Sequence, residues 1–196
     1  MLITLETVRD EWSACYPADR LAALYPVPRT AVEVLTLTDG PWAEVPAFDR
    51  MWTVFHEGVL SGRVLRLSAC DSADRALNRE RDAGREPHPD LWAAVTVARA
   101  FALGKATAEE MKAVRTNDAT DYDTATAYAV AAARTPDAAD AVAFAADAHA
   151  YADRNAARNA VAEATHAEAA RAVAAARTTE CQTQVDRLLA IIEENA

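Results

Sequence analysis

Few side chains in this sequence have the types and spacing that catalysis or metal binding requires. Glu163 and His166 show the Glu-x-x-His spacing that places two ligands on one helix face in di-metal bundle proteins. Such a centre needs a second Glu-x-x-His motif, and the sequence has none. His149 and Asp153 lie one helical turn apart, which is the spacing of an ion pair. These groups therefore predict no metal site.

Nucleophile and phosphate-binding motifs are also missing from the sequence. His56 and Glu57 are adjacent at a predicted helix end, where we expect a solvated pair rather than an acid–base dyad. Cys15, Cys70 and Cys181 are far apart and form no C-x-x-C, which indicates reduced, partly buried thiols. No glycine-rich phosphate loop, G-x-S-x-G or H-E-x-x-H occurs. The sequence thus predicts a protein that is not an enzyme and needs no cofactor.

Acidic residues cluster in one segment, residues 116–153, which we call the acidic tract. Seven aspartates lie there against the single Arg134, so the local net charge is −6. The first three aspartates of the tract resemble half of a calcium-binding loop, but the central glycine and the closing glutamate of such a loop are absent. We therefore interpret the tract as a surface that binds a basic protein partner. Its aspartates are Asp118, Asp121, Asp123, Asp137, Asp140, Asp147 and Asp153.

The whole chain is acidic, with a formal net charge of −10. Phosphate backbones and anionic membranes attract positive surfaces, so we expect no direct binding to nucleic acid or to a membrane. The first residues lack the basic and apolar regions of a signal peptide. No apolar run reaches the roughly 18 residues that a spanning helix needs. A cytoplasmic location is the expectation.

Alanine fills about a quarter of the chain, and only 5 glycines and 8 prolines interrupt it. Because alanine is the best helix former and a poor strand former, the composition predicts an all-α fold. Alanine supplies 32 of the 76 residues in 101–176, and such helices can approach one another closely. We predict one domain over 1–196, with short N-terminal helices in 1–81 packed on two to four long alanine-rich helices in 90–196.

Local signals place the elements of the first half. Thr4 and Asp19 are predicted caps of two short helices, a third short element is expected over 29–37, and Pro46 then opens a clearer helix. A longer helix is expected between Gly62 and Arg81, with its apolar face inward. Asp71 and Arg75 lie one turn apart on this helix and are expected on its outer face. The tryptophans, which we interpret as core anchors with a partner surface as the alternative, are Trp12, Trp42, Trp52 and Trp92.

The second half begins after a polar linker over 82–90. Asp90 is the predicted cap of the next helix, and Gly104 has the position of a C-terminal glycine cap. Thr107 and Glu110 form a capping box for a helix that could extend to residue 135. About 60 residues without Pro or Gly follow, with a hinge expected near 153–159 and an amphipathic last helix carrying Val185, Leu188, Leu189 and Ile192.

Two stretches give the sequence a family resemblance. One is 49–57, DRMWTVFHE, followed by 65–71, LRLSACD; the other is 89–92, PDLW, continued by 98–110, ARAFALGKATAEE. They resemble alanine-rich, all-helical phage and bacterial proteins of unknown function, some of which are labelled immunity proteins of toxin loci. The chain departs from that pattern at Asp71-Ser72, where a Trp-Cys-like pair is usual. The resemblance implies an all-α fold and provides no catalytic residues.

We therefore predict a cytoplasmic protein that binds and blocks a protein partner through the acidic tract. The partner would be a toxin or a host or defence factor. One alternative is a DNA mimic that inhibits a nucleic-acid enzyme. Another is a small-molecule or nucleotide binder, with a pocket between the N-terminal aromatics and the long helices. Alanine faces that bury too little area within one chain could also pair in a homodimer.

Overall fold

The computed structural model describes residues 1–12, 14, 16–56, 58–82, 84, 86–113 and 169–196. It confirms the all-α fold. Within these residues β-type pairing is limited to one isolated bridge, in which Ile3 and Arg29 exchange hydrogen bonds of 2.7 and 2.8 Å. The acidic tract and the predicted hinge near 153–159 lie outside the described residues.

The chain divides into two compact units, Met1–Leu60 and Ser61–Ala196. The division places the first long helix, which we had grouped with the N-terminal helices of 1–81, in the second unit. The assignment of one domain over 1–196 stays a prediction.

Short helices build the N-terminal unit. A π-helical turn, Thr7–Glu11, precedes α1 (Ala18–Leu24) and α2 (Ala31–Thr36). A 3₁₀ turn, Gly40–Trp42, then leads to α3 (Ala47–Val54). Prolines set several of these limits, because proline has no N–H and cannot continue a helix interior. Pro17 and Pro46 occupy the N-cap positions of α1 and α3, and Pro26 follows the end of α1.

Two threonines cap these short helices: Thr4, as predicted, and Thr30, for which no cap was predicted. The hydroxyl of Thr4 accepts a hydrogen bond from the backbone N–H of Thr7 at 3.1 Å. Thr30 and Glu33 form a full capping box at the start of α2. The predicted cap at Asp19 is wrong, because Pro17 is the N-cap of α1 and Asp19 lies within the first turn. A carboxylate there still favours the helix by its interaction with the positive end of the helix dipole.

The second unit contains three longer helices, α4 (Gly62–Asp82), α5 (Pro89–Ala102) and α7 (Ala169–Glu194). Helix α6 is described over Ala108–Ala113. Helix α4 packs against both α5 and α7. As predicted, it buries the face formed by Val64, Leu67, Cys70, Ala73 and Leu77. Cys70 and Cys181 are buried thiols that form no disulfide among the described residues, and burial raises the pKa of Cys70 to about 12. Cys15 lies outside the described residues.

The ends of α5 and the start of α6 follow their sequence signals closely. Gly104 has a φ of +70°, and the N–H groups of Gly104 and Lys105 bond to carbonyls of the last turn of α5. This is the Schellman pattern, which glycine favours because it has no Cβ. Thr107 and Glu110 form the predicted capping box, with hydrogen bonds of 2.7 and 3.1 Å. The predicted cap at Asp90 is wrong, because Nδ1 of His88 accepts the hydrogen bond at this helix start.

Helices α4 and α7 meet through a group of polar and charged side chains, which we call the ion cluster: Asp71, Arg75, Arg79, Glu180, Gln184 and Arg187. Its two carboxylates are buried, whereas Arg187 is exposed. The expectation that Asp71 and Arg75 lie on an outer face is wrong, since Asp71 is only 8% exposed. Asp71 accepts hydrogen bonds from Arg75 and from Nε of Arg187. Glu180 pairs with Arg75 and Arg79, and Gln184 donates to it at 2.9 Å. Each carboxylate is therefore satisfied by cations of both helices or by neighbours on α7.

Candidate functional site

An open cavity of about 260 Å³ lies within the N-terminal unit. Its walls are mostly apolar and include five aromatic rings. All twelve lining residues belong to this unit: Val8, Ala14, Tyr16, Leu21, Leu24, Tyr25, Trp42, Val45, Phe48, Asp49, Trp52 and Thr53. We call this cavity the aromatic pocket.

The short helices explain why a pocket forms here. Leu21 and Leu24 of α1 lie opposite the first two turns of α3, while the turn Gly40–Trp42 provides Trp42. Elements of six to eight residues meet at their ends and cannot interdigitate along a long face as long helices do. Large aromatic side chains then cover the remaining space incompletely, and Phe48 stays 43% exposed at the wall.

Two of the rings are held in fixed positions. The indole N–H of Trp42 donates to the carbonyl of Leu24 at 3.2 Å, which satisfies a backbone acceptor at the end of α1. The ring of Tyr25 meets Trp42 edge-to-face, with centroids 5.3 Å apart. Burial raises the pKa of Tyr25 to about 12, and its phenol interacts with the hydroxyl of Thr53. Tyr25 therefore stays a neutral hydrogen-bond donor at neutral pH.

The polar group of the pocket is the carboxylate of Asp49, in the first turn of α3. The phenol O–H of Tyr16 donates to its Oδ2 at 2.5 Å. Burial, and then the hydrogen bond to Asp49, raise the pKa of Tyr16 to about 12. On its ring, Tyr16 also carries the guanidinium of Arg20, 4.4 Å from the centroid. The arrangement fixes one carboxylate oxygen and leaves an electron-rich aromatic surface beside it.

Behind the pocket wall, His56 packs between two tryptophans. It stacks on Trp12 with centroids 3.9 Å apart and planes 3° apart, and meets Trp52 edge-on at 4.9 Å. Its Nε2 is buried without a hydrogen-bond partner among the described residues. Burial lowers the pKa of the imidazole below its usual 6.5. The predicted solvated helix end is therefore wrong for His56, whereas Glu57 lies outside the described residues.

Comparison with known proteins finds no matching family model, no similar curated protein and no similar solved structure. The resemblance to immunity proteins of toxin loci consequently stays a prediction. The aromatic pocket has to be interpreted from its own geometry.

The residues that the sequence singled out for partner binding lie elsewhere. All seven aspartates of the acidic tract, from Asp118 to Asp153, fall outside the described residues, as do His149, Glu163 and His166. Where the chain is described, no three His, Cys, Asp or Glu side chains lie together as metal ligands would. In the same part of the chain, no helix combines the length and apolarity needed to cross a membrane.

Sequence reasoning identified the N-terminal aromatics but missed Tyr16, Tyr25 and Asp49 as pocket residues. Tyr16 and Asp49 are 33 residues apart, and no local sequence pattern indicates that their side chains are in contact. One signal was present: prolines at 17, 26, 28, 41 and 46 break the segment into short pieces that carry most of the chain's aromatic residues. Short helices rich in aromatics favour incomplete packing, which is how pockets arise.

Proposed function

We propose that the N-terminal unit is a binding module for a small molecule with an apolar or aromatic body. The observation that supports this function is the aromatic pocket, an open cavity of about 260 Å³ with five rings in its walls. Ligand sites are typically concave, mostly apolar and equipped with few polar groups that orient the ligand. The pocket has that composition, with Asp49, Tyr16 and Thr53 as its orienting groups.

Preorganisation supports the same conclusion. The hydrogen bond of Trp42 to Leu24 and the edge contact of Tyr25 hold the rings before any ligand arrives. Binding to a preformed pocket avoids the entropy cost of ordering side chains. An apolar body bound there would add dispersion contacts with these walls.

The size and charge of the pocket limit the classes of ligand that it can bind. An apolar protein cavity of about 150 Å³ accommodates benzene, so this one has room for a single ring with a short substituent. A nucleotide fits poorly, because its phosphates need cationic or N–H donors. The lining offers no cationic side chain and one carboxylate.

Filling the pocket tests this function. Replacing Ala14, a lining residue, by leucine adds three carbons to the wall; Ala22→Leu on the exposed face of α1 is the matched control. Ligand-detected NMR with 2-phenylethanol as the probe should show binding to the wild type and to Ala22→Leu. Ala14→Leu should weaken binding by about tenfold or more, with an unchanged circular dichroism spectrum. Absence of binding to the wild type, or equal binding to folded Ala14→Leu, would refute the function.

A second function, blocking of a protein partner through the acidic tract, is supported by the sequence. The segment 116–153 contains seven aspartates and a single arginine, and an acidic surface favours rapid association with a basic protein.

A further inference from the structure

The aromatic pocket has one formally charged side chain in its wall, the carboxylate of Asp49. The other eleven lining residues are aromatic, aliphatic or hydroxyl-bearing. The negative charge of Asp49 is therefore the main electrostatic feature of the pocket wall. A positively charged group on a ligand is attracted to this carboxylate and an anionic group is repelled, and the effect is stronger where water is partly excluded.

Hydrogen bonding holds this carboxylate in place. Oδ2 accepts from the phenol of Tyr16, and the hydroxyl of Thr53 donates to the backbone carbonyl of Asp49 at 2.9 Å. Among the described residues, no hydrogen bond reaches Oδ1. An ammonium N–H is the donor type that forms a short, charge-assisted bond to such an oxygen.

The rings around Asp49 favour the same charge. Aromatic faces attract cations because the ring quadrupole places negative potential above each face. Tyr16 already binds a cation in this way, through the guanidinium of Arg20. Tyr25, Trp42, Phe48 and Trp52 provide further rings in the same cavity. Carboxylate and rings thus select for positive charge by two independent mechanisms.

We propose that the ligand of the aromatic pocket is a small organic cation, an ammonium group on an aromatic or apolar body. The ammonium lies beside Asp49 and the body lies against Trp42 and Trp52. This inference rests on the proposed binding function and specifies its ligand class. Anions of the same shape are excluded by repulsion from Asp49.

Three probes of similar size separate the charge preference from binding itself. They are phenethylammonium, 2-phenylethanol and phenylacetate, titrated by calorimetry into the full chain at neutral pH. The wild type should bind the cation at least about tenfold more tightly than the alcohol, and the anion weakest. Asp49→Asn should reduce cation affinity to about that of the alcohol, because the amide has no charge while its oxygen can still accept from Tyr16. Asp39→Asn, an exposed carboxylate of the same unit outside the lining, should change neither the cation affinity nor the alcohol affinity.

The outcomes distinguish a failure of ligand binding from a failure of the preference for cations. If no probe binds the wild type, the binding function itself fails. If the alcohol binds as tightly as the cation, or if Asp49→Asn leaves the cation affinity unchanged, the pocket binds ligands but has no preference for cations. A stronger loss of cation affinity in Asp39→Asn than in Asp49→Asn would likewise overturn the assignment.

Discussion

At the scale of single residues, His56 makes the stability of the pocket wall depend on pH. Its imidazole lies between Trp12 and Trp52, and Trp52 also lines the aromatic pocket. Protonation would place a charge in a half-buried setting where Nε2 has no described hydrogen-bond partner. Charged groups in such settings lose hydration that the protein does not replace. The neutral imidazole is therefore the form that fits this wall.

We predict that acid destabilises the N-terminal unit through His56. The pKa of His56 is lowered in the native state, so the unfolded chain takes up its proton first as the pH falls. Stability is fully present above about pH 6.5, falls as the pH drops through that value, and levels off below the native pKa. Urea unfolding followed between about pH 8 and pH 5 measures this loss.

His56→Phe provides the control, because phenylalanine preserves ring packing against both tryptophans and cannot titrate. The other histidines are common to both proteins, so their contributions cancel in the difference. The wild type should lose more stability on acidification than His56→Phe. Parallel pH profiles would show that the site does not control acid stability.

At the scale of helices and turns, local signals predicted the ends of elements well. Gly104 and the pair Thr107 and Glu110 act through bonds within one turn of chain, and their structure matches the prediction. The predictions at Asp19 and Asp90 failed for a related local reason: the residue two positions upstream is the N-cap in each case. Capping chemistry is readable from sequence because its partners are three or four residues apart.

Contacts between distant elements could not be predicted in this way. Periodicity correctly identified the apolar face of α4, yet it left Asp71 and Arg75 outside. Their burial depends on Arg187, which is 116 residues from Asp71 in the chain. The pairing of Tyr16 with Asp49 is hidden for the same reason. Fold class and element limits follow from local chemistry, whereas the pocket and the ion cluster depend on which elements meet.

The ion cluster predicts a large loss of stability when its central carboxylate is removed. Glu180 is 4% exposed and pairs with two arginines whose side chains are 19% and 25% exposed. Burial already lowers the pKa values of Arg75 and Arg79, so both guanidiniums depend on nearby carboxylates. Glu180→Leu leaves them short of a partner, and removal of one partner from a buried ion pair costs about 3–5 kcal/mol.

Chemical denaturation of Glu180→Leu and of Glu193→Leu, an exposed position on the same helix, measures the difference. The control should change the free energy of unfolding by about 0.5 kcal/mol or less. Combining Glu180→Leu with Arg79→Met should recover part of the loss, because apolar replacement of both members of a buried ion pair is often neutral and Arg75 keeps its pairing with Asp71. A loss below about 1 kcal/mol for Glu180→Leu would contradict a stabilising role for the cluster.

At the scale of the whole molecule, charge and aromatic residues are unevenly distributed along the sequence. Three of the four tryptophans and the described pocket belong to the first 60 residues, whereas the acidic tract occupies 116–153. Ligand binding and partner binding would therefore involve different parts of the chain. Variants in one part can be tested without altering the residues proposed for the other.

The acidic tract predicts a salt-sensitive interaction with a basic protein. Replacing Asp118, Asp121, Asp123 and Asp140 by lysine should abolish partner capture from cells that encode the chain, because the complementary field is reversed. Capture by the wild type should weaken between about 50 and 300 mM salt, as screening predicts. Quantitative mass spectrometry of the captured proteins provides the measurement.

A variant with the same change in net charge makes this test specific to the tract. Lysine at Glu11, Asp39, Asp82 and Glu193, all exposed, changes the total charge equally and should retain the partner. Equal capture of the partner by both variants would exclude the tract as the binding surface. Equal loss of capture by both variants would show that the effect depends on the overall charge and not on the tract. Competition between the chain and duplex DNA for the captured protein then separates the two modes of inhibition. A partner displaced from DNA by the wild type, but not by the tract variant, would assign the aspartates to mimicry of phosphate groups.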